Sequence, residues 1–222
     1  SAYSSFVNGG KLISPIIIDR IQDSEGNTII NNENRKCMNC DKISYTGKDY
    51  PQIEDNYKQV MSKQTAYQVT TILEGVIKRG TGKKLRDLQL NLAGKTGTTN
   101  ENTDAWFIGF TSNLVIGVYV GMDNPSPLGK YETGSKTALP IFEKFVSKAI
   151  KKSDARPFKV SEGITMMVVD STTGQKAKFT SKNTIMEVYK SENVVDGKVL
   201  YSNKNRLDTN NILNFYWWKI NI

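Results

Sequence analysis

The sequence predicts an α+β protein, an antiparallel sheet with flanking helices, followed by a small β-rich C-terminal extension. Three observations carry that reading. Asn91–Thr99, Asp104–Thr111 and Leu114–Asp123 are short runs rich in Val, Ile, Thr, Phe and Trp, parted by turn residues at Asn100–Thr103 and Ser112-Asn113, which is the pattern of an antiparallel meander. Apolar residues recur at helical spacing on both sides of it, as Ala66, Val69, Leu73, Val76 and Ile77 before and as Ala138, Ile141, Phe142, Phe145, Ala149 and Ile150 after. Beyond a gathering of charge at Lys151–Lys159 the chain turns to short strand-like runs, so a boundary near Arg156 divides it into residues 1–155 and 156–222.

Taken in order, Ser1–Val7 reads as the stub of a helix that stops at Asn8-Gly9-Gly10, because glycine tolerates the left-handed conformation in which helices end. Pro15–Ile21 and Asn27–Ile30, separated by Asp23–Gly26, read as a β-hairpin. Asn31–Asp55 is polar, holds both cysteines and shows no period, so it is expected to be a long loop. Ser62 is the expected N-cap of the first long helix, which Arg79-Gly80-Thr81-Gly82 ends. Asn124–Pro127 and Gly129 form a loop before the second helix, whose last turns carry Lys144, Lys148, Lys151 and Lys152 where the helix dipole favours cations. Ile164–Asp170 and Thr184–Tyr189 are the strand-like runs of the extension. The tail Asn203–Ile222 is Asn-rich, then aromatic at Phe215–Trp218, and is expected to pack against a neighbour, with a carbohydrate platform or partner patch as the other reading.

Composition bounds the chemistry. The 222 residues suit one ordinary domain or one and a half, and a hydrophobic share of 38% implies a lean core. The longest near-continuous apolar run, Leu114–Met122, falls short of the roughly 20 residues that cross a bilayer. The opening residues read neither as an initiator nor as a signal peptide, so the chain is expected to be a piece of something longer. Histidine is absent, which removes the commonest general base and metal ligand, and two cysteines cannot build a Cys₄ or Cys₂His₂ zinc site within one chain. A nucleophile here would need activation by Lys, a carboxylate or Tyr, and no cofactor is expected. Thirty Lys and Arg against 22 Asp and Glu give a net charge of +8, but the lysines are scattered and no aromatic-plus-basic motif accompanies them, so no nucleic-acid partner is expected.

The informative stretch is Ala93-Gly94-Lys95-Thr96-Gly97-Thr98-Thr99-Asn100, which runs into Asp104–Phe110. A strand that carries a lysine, two hydroxyls and a missing side chain suits one wall of an acyl-transfer or anion site. Its edge offers N–H groups to an oxyanion, glycine lets a ligand approach, lysine draws a carboxylate, and the threonine hydroxyls can bond to it.

These residues resemble the penicillin-binding proteins, for which Lys-Thr-Gly is a family motif. More narrowly, the chain resembles the C-terminal part of the transpeptidase domain in class A, bifunctional members of the 1A type. Blocks at Tyr3–Lys11, Pro15–Asp23, Thr65–Gly82, Ala93–Phe110, Val118–Asp123 and Pro127–Pro140 agree in order, and the likeness covers about residues 1–150. The resemblance implies a serine β-lactamase/transpeptidase-like fold and an acyltransferase that cross-links peptidoglycan stem peptides at the periplasmic face of the cytoplasmic membrane and is acylated by β-lactams. By position it implies that Lys95 attracts the substrate carboxylate, that Thr96 and Thr98 bond to it, that Gly97 gives clearance, and that the Thr98 backbone N–H is half of an oxyanion hole.

The family's nucleophile motif, Ser-x-x-Lys, occurs nowhere in the chain. Ser181-Lys-Asn183 and Ser191-Glu-Asn193 have Ser-x-Asn spacing, but they follow the Lys-Thr-Gly strand where the family's motif precedes it, and are read as chance. The family's sheet also takes two strands from sequence ahead of its nucleophile, so Leu114–Asp123 is expected to present an unpaired edge. The expectation is therefore a C-terminal fragment, a truncated piece or the product of a split gene, whose partner is the missing N-terminal half of the transpeptidase domain and which cannot acylate alone. The alternative is a non-catalytic chain serving as a cell-wall binding or assembly module. Cys37-Met38-Asn39-Cys40 has redox spacing but sits in a loop, and the extracytoplasmic setting implied by the resemblance favours a small-loop disulfide over free thiols.

Overall fold

The computed structural model describes residues 1–200 except 34, 42, 43, 45, 46, 48, 49, 153, 154 and 196. The aromatic tail at Asn203–Ile222 lies outside the described residues.

The first helix, α1 (Ala2–Val7), ends where the Asn8 N–H returns to the Ser4 carbonyl, and Gly9 and Gly10 follow with φ of 80° and 90°. The hairpin β1 (Arg20–Gln22) and β2 (Thr28–Asn31) is shorter than expected, since Pro15–Ile18 stay outside the ladder. Proline has no N–H to give, and a two-stranded ribbon exposed on both faces gains little by extending. The expected loop over Asn31–Asp55 holds one more pair, β3 (Cys37–Met38) against β4 (Gln52–Ile53), beside a Cys37–Cys40 disulfide. Strands of two residues are too short to show a period, which is why the sequence hid them.

The helix α2 (Lys63–Arg79) begins at Ser62, whose hydroxyl accepts the Thr65 N–H at 3.1 Å, and ends at Gly80, whose N–H returns to the Val76 carbonyl. A 3-10 turn at Lys83–Leu88, not foreseen from the sequence, buries Leu85. The meander forms as β5 (Ala93–Thr98), β6 (Ala105–Phe110) and β7 (Val115–Val120), paired antiparallel in that order, with Lys95 opposite Ile108 and Thr98 opposite Ala105. Among the described residues no strand pairs with the outer side of β5 or with the far side of β7.

The helix α3 (Ala138–Ala149) covers one face of this sheet. It buries Ala138, Leu139, Phe142 and Val146 among Ala105, Phe107, Ile77, Leu85 and Leu92, with the Phe107 and Phe142 rings edge to face at 4.7 Å. The expected apolar stripe was half wrong, because Ile141 and Phe145 are about half exposed while Leu139 and Val146 are buried. Two stripes one residue apart compete on this helix, and packing on Phe107 decides between them. On the opposite face Ala93 and Phe110 meet Phe158, with Tyr3, Phe6 and Val7 packed against them.

The hairpin β8 (Ile164–Asp170) and β9 (Thr184–Lys190) lies against α2. Gln64 Nε2 donates to the Glu162 carbonyl at 3.1 Å, Gln68 Nε2 to the Val188 carbonyl at 3.0 Å, and Arg79 reaches Glu187 at 3.8 Å. A last short pair, β10 (Val194–Val195) and β11 (Lys198–Val199), closes the described chain. Among the described residues no helix is long and apolar enough to cross a membrane.

Candidate active site

All four residues singled out in the sequence stand on β5, and the register decides which way each backbone group points. In an antiparallel ladder opposed pairs alternate between exchanging hydrogen bonds and facing outward. Thr99 donates its N–H to the Asp104 carbonyl at 3.1 Å, and Thr98 is the partner of Ala105 one step further in. Thr98 and Thr96 therefore belong to outward-facing pairs, and their N–H and C=O groups emerge on the outer edge of β5, away from β6.

Lys95 turns toward that edge. Its Nζ donates to the Thr96 carbonyl at 2.9 Å and lies 3.4 Å from Thr96 Oγ1, and the burial of the stem pushes the ammonium pKa below 10.5. A cation and the Thr98 amide thus share one strip of strand edge. Thr96 is itself buried, 5% exposed, and its hydroxyl sits 3.0 Å from Thr81 Oγ1, just past the end of α2. Thr98, on the same face of the sheet as Thr96, is half-buried, and its Oγ1 accepts the Gly134 N–H at 3.0 Å. Gly97 faces Trp106 across the ladder, and a Cβ there would come 3.2 Å from the Trp106 Cβ.

Two of these neighbours escaped the sequence reading. Thr81 lies in the helix stop and in the Thr65–Gly82 block of the resemblance, where the sequence gives it no part in the site, although a hydroxyl between two glycines is a visible signal. Gly134 is 36 residues from Thr98 and carries no side chain to mark it. The lysine, the two hydroxyls and the glycine are brought together as expected, because four successive strand residues cannot be far apart. The Trp106 ring meets Tyr119 at a tilt of 44° with centroids 4.7 Å apart beside Gly97, and the Tyr119 hydroxyl donates to Asp104 Oδ1 at 2.8 Å. Among the described residues no group of three or more His, Cys, Asp or Glu is placed to hold a metal.

Residues 1–147 match the family described as the penicillin binding protein transpeptidase domain. The chain belongs to this family. It is 39% identical over 197 residues to penicillin-binding protein 1A of Rickettsia felis, covering 87% of this chain and 24% of that protein. It is 38% identical over 212 residues to the protein of the same name from Rickettsia bellii, covering 92% of this chain and 26% of the relative. The crystal structure of penicillin-binding protein 1A from Haemophilus influenzae superposes with a TM-score of 0.70 at 28% identity, over 86% of this chain and 31% of the other. The chain thus carries penicillin-binding transpeptidase sequence of the 1A type, and it spans about a quarter of the length of the curated relatives it matches. Within that fold, β5 is the strand that bears the Lys-Thr-Gly motif, packed against α2 and tied to the turn before α3 by the Gly134–Thr98 bond.

Proposed function

We propose that this chain supplies the Lys-Thr-Gly wall of a serine D,D-transpeptidase site that cross-links peptidoglycan stem peptides and is acylated by β-lactams. The observation that carries the reading is the outer edge of β5, where the Thr98 N–H and the Lys95 ammonium face the same side. Such an edge suits a tetrahedral intermediate, because a backbone N–H can donate to the oxygen that gains charge while a cation holds the substrate carboxylate a few ångströms away. The Thr98 hydroxyl would bond to that carboxylate. Thr96, engaged by Thr81, would hold the Lys95 ammonium in place. Gly97 would keep the approach open.

The nucleophilic serine and the lysine that takes its proton would come from Ser-x-x-Lys outside these 222 residues, in the N-terminal half of the same transpeptidase domain. The serine oxygen would bond to the β-lactam carbonyl carbon, the C–N bond would break, and the proton would pass to the departing nitrogen. A periplasmic setting and a division near Arg156 between transpeptidase portion and extension belong to the same reading. The lack of Ser-x-x-Lys in this chain also favours a second reading, in which it acts alone as a non-catalytic cell-wall binding or assembly module.

Intact-mass measurement of benzylpenicillin uptake by the protein with its upstream sequence separates the two. One covalent adduct is expected, formed roughly 10- to 100-fold more slowly in Lys95→Ala, because a charge-assisted contact is lost. No adduct on the folded protein would favour the binding module, and equal rates in the variant would remove Lys95 from the site.

A further inference from the structure

We propose that Gly134 is a positioning residue for Thr98, its backbone N–H setting the direction in which the Thr98 hydroxyl donates. The inference rests on the transpeptidase reading and extends it to a residue outside the Lys-Thr-Gly motif. A threonine hydroxyl has one proton and two lone pairs. The Gly134 amide fills one of the lone pairs at 3.0 Å, so the proton of Thr98 must point elsewhere, and the ligand side of the half-buried residue is where an acceptor can reach it. A donor that is itself accepting a hydrogen bond is polarised into a better donor.

The position demands a glycine for clearance and not for its φ. A Cβ on Gly134 would overlap the Trp106 carbonyl oxygen and come 2.5 Å from the Gly97 carbonyl oxygen and 3.1 Å from the Gly97 nitrogen. The residue therefore lies flat on the Gly97 and Trp106 pair of the ladder, which neither strand can vacate without breaking the sheet. Its own carbonyl accepts the Leu139 N–H at 2.9 Å, and the Thr133 carbonyl accepts the N–H groups of Lys136 and Thr137 at 2.9 Å each. The first turn of α3 and the amide that holds Thr98 are thus one rigid piece, clamped to the sheet by Leu139 and Phe142 in the core.

The test compares acylation rate constants of the protein carrying its upstream sequence, with benzylpenicillin and with its methyl ester. Gly134→Ala is expected to slow the free acid about tenfold and the ester less than about twofold, because a charged carboxylate accepts from the Thr98 hydroxyl more strongly than an ester carbonyl does. In a Thr98→Val background Gly134→Ala is expected to add nothing for the acid. Equal losses for acid and ester, or losses that add, would assign Gly134 a purely structural part and overturn the proposal. If Gly134→Ala does not fold, hydrogen exchange of the Gly134 amide in Thr98→Val decides. Faster exchange supports the bond and unchanged exchange overturns it. A wild-type protein that takes up no benzylpenicillin overturns the transpeptidase reading itself. A wild-type protein that is acylated and slowed by Thr98→Val, but indifferent to Gly134→Ala, overturns the Gly134 assignment alone.

Discussion

Gly109 and Gly117 stand on neighbouring strands of the same sheet, yet a methyl group meets different surroundings at each. At Gly109 it would lie 2.5 Å from Phe142 Cζ and 2.8 Å from Phe107 Cε1, both buried rings that have no empty space to move into. At Gly117 the nearest atom is Ile108 Cγ1 at 4.0 Å, an ordinary contact. Gly109→Ala is therefore expected to lower the unfolding free energy by about 1–3 kcal/mol through overpacking, and Gly117→Ala to change it little. Urea denaturation of both variants checks the pair, and equal losses would mean that Phe142 is not what Gly109 accommodates. The same residue-scale logic explains the legibility of the site. Lys95 to Thr98 could be read off the chain because adjacency alone brings them together, whereas the atoms that fix their hydroxyls, on Thr81 and Gly134, arrive through the end of α2 and the turn before α3.

At the level of elements, the contact between α2 and the β8–β9 hairpin is expected to depend on pH. Burial raises the Glu187 carboxyl above its ordinary 4.5, and Arg79 at 3.8 Å opposes the shift without cancelling it. A carboxyl whose pKa is higher folded than unfolded holds its proton more tightly in the native state. Its contribution is complete below the unfolded value and is lost as pH rises through the folded one. Stability attributable to Glu187 should thus fall on going upward from about pH 4.5, and Glu187→Gln, which cannot ionise, should flatten that stretch of the profile. Denaturation midpoints from about pH 4 to about pH 7 measure it. An unchanged slope in the variant would mean that the carboxylate ionises in place at no cost. Element boundaries were legible where a period changes, as from α2 to the meander, and Ile164–Asp170 was placed to the residue. The face of α3 was not, since Ala138, Phe142 and Val146 form a row that the competing row of Ile141 and Phe145 disguises until Phe107 is seen against it.

On the scale of the whole molecule, order is unevenly secured. The sheet, α2 and α3 share buried side chains, while β1 to β4 are exposed throughout and are held by their own ladders, by the pairing of Lys11 and Leu12 with Asp55 and Lys58 at their base, and at Cys37–Cys40 by a local bridge. Replacing both cysteines by serine is expected to raise tryptic cleavage after Arg35 and Lys36 and to leave the unfolding of the sheet core unchanged. A core that unfolds earlier in that variant would show that the two regions are coupled. The fold class was readable because amphipathic period and turn chemistry agree along most of residues 62–150. The small pairs were hidden because nothing buried disciplines their sequence.

The strand β5 works by parity. Its even-numbered residues send their amides to the open side, and its odd-numbered ones spend theirs on β6. A slip of β5 against β6 by a single residue would exchange the two sets, so that Thr98 would face its neighbour and Gly97 the open side, with every name in the motif preserved. A slip of two residues would restore the arrangement. What holds the strand against such a slip is the buried set on its two faces, Ala93 beside Phe110 on one and Ala105 and Phe107 on the other, so the core decides which amide of the motif is offered.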